Sequence, residues 1–274
     1  MKPFYIKFIL FTSLILISYQ PSQQEFTGKA YYFAKSKMQL GSWGARLSQA
    51  QKNQIQNRLK NRLEKTFVLS FNKQESMFKE EDKLDAISGA TDSWGGTFSR
   101  GDQYKNIKSA SLIQNQEFYG KKFLVKDKLY RINWEMGTES KKIGQYTCYK
   151  ATAQVPVFEL SWYNFSWSDI RTPKDTDKTE EKKENTIAVE AWYTLDIPVA
   201  HGPGEYWGLP GLILEVSAGN TTMLCSKIVL NPEKEVSIVA PKKGKEITKK
   251  DYQATIRKKM VEMRNNRMGR RRSR

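Results

Sequence analysis

Apolar and polar residues alternate along most of this chain with the two-residue period of half-buried strands, and two stretches switch to a helical period. The clearest alternation is Thr66-Phe-Val-Leu-Ser-Phe71, where Phe67, Leu69 and Phe71 share one side. Strands are also predicted over 25–38, which is rich in aromatic residues, over 143–152 and over 186–194. Shorter ones at 106–113, 115–119, 121–126 and 129–134 suit a meander, and a turn at Ala218-Gly-Asn220 makes a hairpin of 211–217 and 221–230. The first helical stretch opens on Ser48-Gln-Ala-Gln51, which has capping-box spacing, and repeats Ile55, Leu59 and Leu63 every fourth residue to about Lys65. The second follows Thr248 as cap and sets Tyr252, Ile256, Met260 and Met263 on a thin stripe over 248–264. Together these predict a mainly β (α+β) fold: a strongly curved antiparallel sheet or open half-barrel, with one helix in the N-terminal half and one near the C-terminus.

The densest local instruction is Gly208-Leu209-Pro210-Gly211-Leu212-Ile213. Proline at the second position of a turn fixes φ, and Gly211 at the third suits the positive φ of a type II turn. Leu212, Leu214 and Val216 then fall on one side of an extended segment, with Ile213 and Glu215 on the other. This reads as a structural motif, a reversal feeding a strand into the core.

Composition adds an address. Lys2 and Lys7 precede the apolar run Phe8 to Ile17, which has the length of a secretory core and is short for a bilayer span, so residues 1–22 read as a signal peptide. Residues 23–247 form a single β-rich domain, with 160–187 as an insertion loop that turns highly charged after Lys174. Residues 79–103 are rich in Gly, Ser and acids and read as a surface loop. The formal net charge is +17 and is concentrated at the end, where residues 265–274 read as a basic disordered tail. In an exported protein such charge points to a membrane's phosphates or an acidic partner rather than nucleic acid.

Candidate chemistry is sparse. His201 is the sole histidine, so the commonest metal constellations are missing, and no nucleophile elbow accompanies it. No phosphate loop, dinucleotide fingerprint, C-x-x-C or calcium loop occurs, and neither a metal site nor a cofactor is expected. Cys148 and Cys225 are a candidate disulfide in an oxidising compartment, although sequence does not say whether they meet. Tyr163, Phe165 and Trp167 would share a strand face, either as an edge of the core or as a contact patch. Glu215 is either solvent-facing or, if covered, in need of a partner.

Gly144-x-Tyr-x-Cys-x-Lys-Ala151, Ala191-Trp-Tyr-Thr194, Ile197-Pro-Val199, Gly202-Pro203 and Gly208-Leu-Pro-Gly-Leu-Ile213 occur in that order. In this series the chain resembles the GLPGLI family of exported Bacteroidota proteins. The resemblance implies a β-rich fold and residence in the cell envelope, and no catalytic residue. The expectation is an exported, non-enzymatic envelope protein at the periplasmic or outer-membrane side that binds an apolar ligand or a protein partner. The rival readings are a structural subunit of an outer-membrane transport complex and a hydrolase acting on an envelope polymer or peptide through His201 or a carboxylate near the main turn, among Asp196, Glu205 and Glu215. A closed apolar cavity beneath 208–216 would favour a ligand carrier, and a packed interior would favour scaffolding.

Overall fold

Alternating burial builds the strands in register. The computed structural model describes residues 26–37, 44–81, 98–160, 186–234 and 236–272. The elements in chain order are β1 (Gly28–Ser36), α1 (Gln49–Arg58), α2 (Lys60–Leu63), β2 (Glu64–Phe71), β3 (Glu75–Glu80), β4 (Phe98–Asn106), β5 (Ser111–Phe118) and β6 (Lys121–Lys128). After them come β7 (Glu135–Ile143), β8 (Tyr146–Pro156), β9 (Thr186–Thr194), β10 (Leu212–Ala218), β11 (Thr221–Leu230), β12 (Lys245–Ile247) and α3 (Lys249–Arg272). All twelve strands join one sheet in the order β12-β6-β5-β4-β3-β2-β1-β11-β10-β9-β8-β7. Every pairing is antiparallel except β12 with β6, so the sheet is mixed, and β7 and β12 stand at opposite ends of an open order.

The sheet curls strongly. Seven strands separate β5 from β8, which in a flat sheet would put them roughly 38 Å apart. Yet Leu112 of β5 and Val155 of β8 line the same cavity of about 10 Å³, with Leu129, Ile132 and Leu160. The concave face buries Ala30 and Tyr32 of β1, Phe67, Leu69 and Phe71 of β2, and Val216 of β10 in one core that includes the chain between β9 and β10. A second core forms where Tyr252 and Ile256 of α3 pack on Phe118, Phe123 and Val125. Lys249, at the start of α3, closes the curl: its Nζ donates to Glu159 Oε2 at 3.0 Å and to the Glu159 carbonyl at 2.9 Å, beyond the end of β8.

Several sequence expectations hold. The mainly β curved sheet is found, β9 has its expected bounds, and the hairpin turns at Gly219-Asn220 with Ala218 opposite Thr221. Ser48 and Gln51 make the reciprocal capping box, at 3.3 and 2.9 Å. Thr248 accepts the Asp251 amide proton as cap of α3.

Others are corrected. The first helix is split at Leu59 and buries no residue in α1; Ile55, Leu59 and Leu63 are its half-covered stripe. The stretch 107–110 is a turn, with Ala110 at φ 48°, so the segment read as a strand over 106–113 straddles the end of β4 and the start of β5. Asn115, at the expected break between the strands read as 106–113 and 115–119, sits inside β5, and Gly101 makes room for it: a Cβ there would lie 1.6 Å from Asn115 Oδ1. Residues 129–134 are not a strand, whereas polar β7 is one, hidden from periodicity because it is an exposed edge. The C-terminal helix continues to Arg272, into the stretch expected to be a disordered tail. Arginine and methionine are good helix formers, and one glycine costs only about 1 kcal/mol. Residues 1–22 and the insertion's 161–185, which include Tyr163, Phe165 and Trp167, lie outside the described residues.

If Lys249 and Glu159 close the curl, Glu159→Ala is expected to lower unfolding free energy by roughly 2 kcal/mol, because it strands a nearly buried ammonium. Pairing it with Lys249→Met should recover most of the loss in urea melts; equal destabilisation by the double variant would contradict the role.

Candidate functional site: a buried lysine beneath the motif loop

The chain between β9 and β10 folds back on itself before the motif. The Leu212 amide donates to the Ile197 carbonyl at 2.9 Å, that of Ile213 to His201 at 3.0 Å, and that of Gly208 to Ala200 at 3.1 Å. His201 and Trp207 form an antiparallel bridge around the turn Pro203 to Tyr206. Two indoles pin the loop from outside: Trp134 Nε1 donates to the Trp207 carbonyl at 2.8 Å and Trp207 Nε1 to the Tyr130 carbonyl at 2.7 Å. Tyr32 donates its hydroxyl proton to the Ile213 carbonyl at 2.6 Å, tying β1 to the motif.

Lys105 pins it from inside. Its side chain is fully buried on β4, and Nζ donates to the carbonyls of Gly202 at 2.7 Å and Tyr206 at 3.0 Å. Burial lowers its pKa from 10.5 to about 7, opposed by the charge of Glu205 nearby. His201 is also fully buried, 6.3 Å from the Phe71 ring. Burial first, and then Lys105, lower its pKa from 6.5 to about 3, so it is a neutral ring. Neither ring nitrogen makes a well-formed hydrogen bond, although the Asn72 backbone opposes the shift.

A polar band continues from Lys105 across the concave face. Gln103 and Gln114 are opposite each other, Ser76 is opposite Lys105, and Gln116 follows on β5, all buried. This band separates the two apolar cores. Lys105 and Gln103 were not anticipated, and no local signal in the sequence marks them. Gln114 and Gln116 were missed as well, although their two-residue spacing from Leu112 and Phe118 is a signal that would have put them on the same face once β5 is unbroken.

The motif residues take definite roles. Leu209, Leu212 and Ile213 are fully buried, while Pro210 is exposed. The type II turn is corrected: Gly211 does not have a positive φ, and the left-handed glycine of the motif is Gly208, at φ 95°. Gly211 is required by contact instead, since a Cβ would lie 1.8 Å from the Thr194 carbonyl oxygen. A bulge between Ile213 and Glu215 shifts the strand, which is why Leu212, Ile213 and Leu214 are all buried rather than alternating. Glu215 is half-covered and has the partner that burial demands, Lys141 Nζ at 2.6 Å. Cys148 and Cys225 are free thiols, both buried, on strands separated by β9 and β10. Burial pushes them up to about 11 and about 12, which keeps them protonated and unreactive.

Chemically, Lys105, His201 and Glu205 form an enclosed cluster, and the ammonium's protons are directed at backbone carbonyls. With no surface exposed, His201 cannot receive a substrate in this conformation. Among the described residues no group of acids, histidines or cysteines is placed to hold a metal ion, and no helix is long and apolar enough to cross a membrane.

These features define a mainly β protein built on one open, curled sheet with a lysine-pinned loop at its centre. Residues 134–215, the segment that contains the loop and its motif, match the family described as "Protein of unknown function (Porph_ging)". No curated protein matches the chain. Similar solved structures include "Structure of PNGF-II in C2 space group" at 14% identity and TM-score 0.48, and "Structure of PNGF-II in P21 space group" at 13% and 0.47. Each match covers 84% of this chain, which spans about a third of those proteins: 32% and 33%. Nothing about function follows from so distant a likeness.

Gly211→Ala should cost at least about 3 kcal/mol, because its Cβ would overlap backbone; Gly208→Ala, which meets only strain at positive φ, should cost about 1–2. The reverse order in denaturant melts would contradict the contact argument. A second expectation concerns pH. The unfolded His201 ring takes a proton near 6.5 and the folded ring near 3, so stability falls as pH drops through that window, by up to about 1.4 kcal/mol per unit. His201→Phe should flatten this part of the acid limb relative to the unsubstituted chain; parallel limbs would show that His201 does not titrate on unfolding.

Proposed function

We propose that this is an exported, non-enzymatic protein of the cell envelope, at the periplasmic or outer-membrane side, that acts by binding a protein partner. The supporting observation is the filled interior beneath the motif. Tyr206, Leu209, Leu212 and Ile213 have no exposed surface, and the cavity that reaches this loop through Glu205 has about 10 Å³, room for one water. An apolar ligand carrier would need an apolar site of hundreds of Å³; an open groove of about 330 Å³ does lie along β8, β9 and β10, but Glu135, Thr152, Gln154, Glu190 and Ser217 line it and none of the motif residues 208–213 does. Binding surface is instead offered on the sheet's outer face, where Phe33 and Leu224 lie opposite each other on β1 and β11, 37% and 40% exposed. The export part of the reading rests on the apolar run after Lys7 and on the resemblance of the 144–213 motifs to an exported family.

Expression in an envelope-bearing bacterium, followed by fractionation, intact-mass measurement and solvent extraction, tests both parts. The expected product is an envelope species lacking about 22 N-terminal residues, with no stoichiometric lipid and with a discrete lysine cross-linked adduct to another protein. An extracted apolar compound at one per chain would favour the carrier; an unprocessed cytosolic species would contradict export.

A further inference from the structure

We propose that the C-terminal half of α3 is a docking element for the phosphates of an anionic lipid surface. Lys249, Tyr252, Ile256 and Met260 follow each other at three- and four-residue steps along α3, the spacing of a single helix face. That face packs on Phe118, Phe123 and Val125, and Met260 is its last contact with this core. The helix then continues for twelve residues, a rise of about 18 Å.

Along this continuation the stripe changes character. The positions that follow Met260 at the same spacing are Met263, Arg267, Arg270 and Arg271, so arginine replaces the apolar residues where the sheet is left behind. No acidic residue follows Glu262, which is itself paired with Lys259 at 2.7 Å. Every basic residue from 264 on is arginine, whereas the packed half mixes lysine with a single arginine. The guanidinium fork matches a phosphate with two parallel hydrogen bonds, which an ammonium cannot do. Cations in a last helical turn also complement the helix dipole. That accounts for one turn, not for a run from 264 to 274 with no compensating acid.

Met263, half-buried at the start of this run, is an apolar side chain suited to a headgroup boundary, and an envelope address makes lipid the polyanion at hand. The choice of lipid rests on the proposed export; vesicle binding is measured without it, so the two can fail separately.

The test is cosedimentation of the purified chain with vesicles of phosphatidylcholine alone or mixed with phosphatidylglycerol, at low and high salt. It is repeated for the combined variant Arg264→Gln, Arg267→Gln, Arg270→Gln and Arg271→Gln. The expected result is salt-sensitive preference for the phosphatidylglycerol vesicles, weakened at least about tenfold in the variant, with its unfolding midpoint unchanged. Equal binding by variant and unsubstituted chain, or no preference for the anionic vesicles, would overturn the proposal. Displacement from the vesicles by duplex DNA at equal phosphate concentration would overturn it in favour of a nucleic-acid contact.

Discussion

A lysine with no exposure, donating to the carbonyls of Gly202 and Tyr206, is the interaction on which the interior depends. An ammonium taken out of water is costly, and backbone dipoles partly offset that cost only if the loop holds them in place. The loop is so held by Trp134, Trp207, Tyr32 and the Leu212, Ile213 and Gly208 amides. Each set therefore needs the other. Because Lys105 stands on β4 and the loop leaves β9, the contact also joins two parts of the sheet that are adjacent only when it curls. Lys249 with Glu159 repeats this arrangement at the rim, tying the start of α3 to the turn after β8.

The motif gains a physical meaning from this frame. Gly211 is glycine because the chain passes against the Thr194 carbonyl, and Gly208 because φ is 95° there. Leu209, Leu212 and Ile213 are fully buried and belong to the main core. A family model that matches 134–215 thus covers the pinned loop and the strands on either side of it, while Lys105 lies outside the matched segment. Packing and backbone geometry thus account for Gly208, Leu209, Gly211, Leu212 and Ile213.

Much of this fold was legible in the sequence. Phe67, Leu69 and Phe71 gave β2, the Gly219-Asn220 turn gave the β10–β11 hairpin, and Ser48 with Gln51 gave the start of α1, since each signal is local. β7 was not legible, because an exposed edge strand has no reason to alternate. Neither was the role of Gly211, which a turn rule explains by its own φ but which the structure explains by a residue seventeen positions earlier. Of the site, His201 was noticed for its rarity, whereas Lys105 is one lysine among many. Its burial is set by strands distant in sequence, and no spacing announces it.

If the loop is architecture, it must open only when the whole molecule does. Native-state hydrogen exchange at the Gly208, Leu212 and Ile213 amides measures this directly, against core amides of β1 and β2 as reference. Equal protection, at the level of global unfolding, is the predicted result. Exchange of those three amides through a low-energy local opening, with β1 and β2 still protected, would mean that the loop is a lid over a site, and would contradict the account.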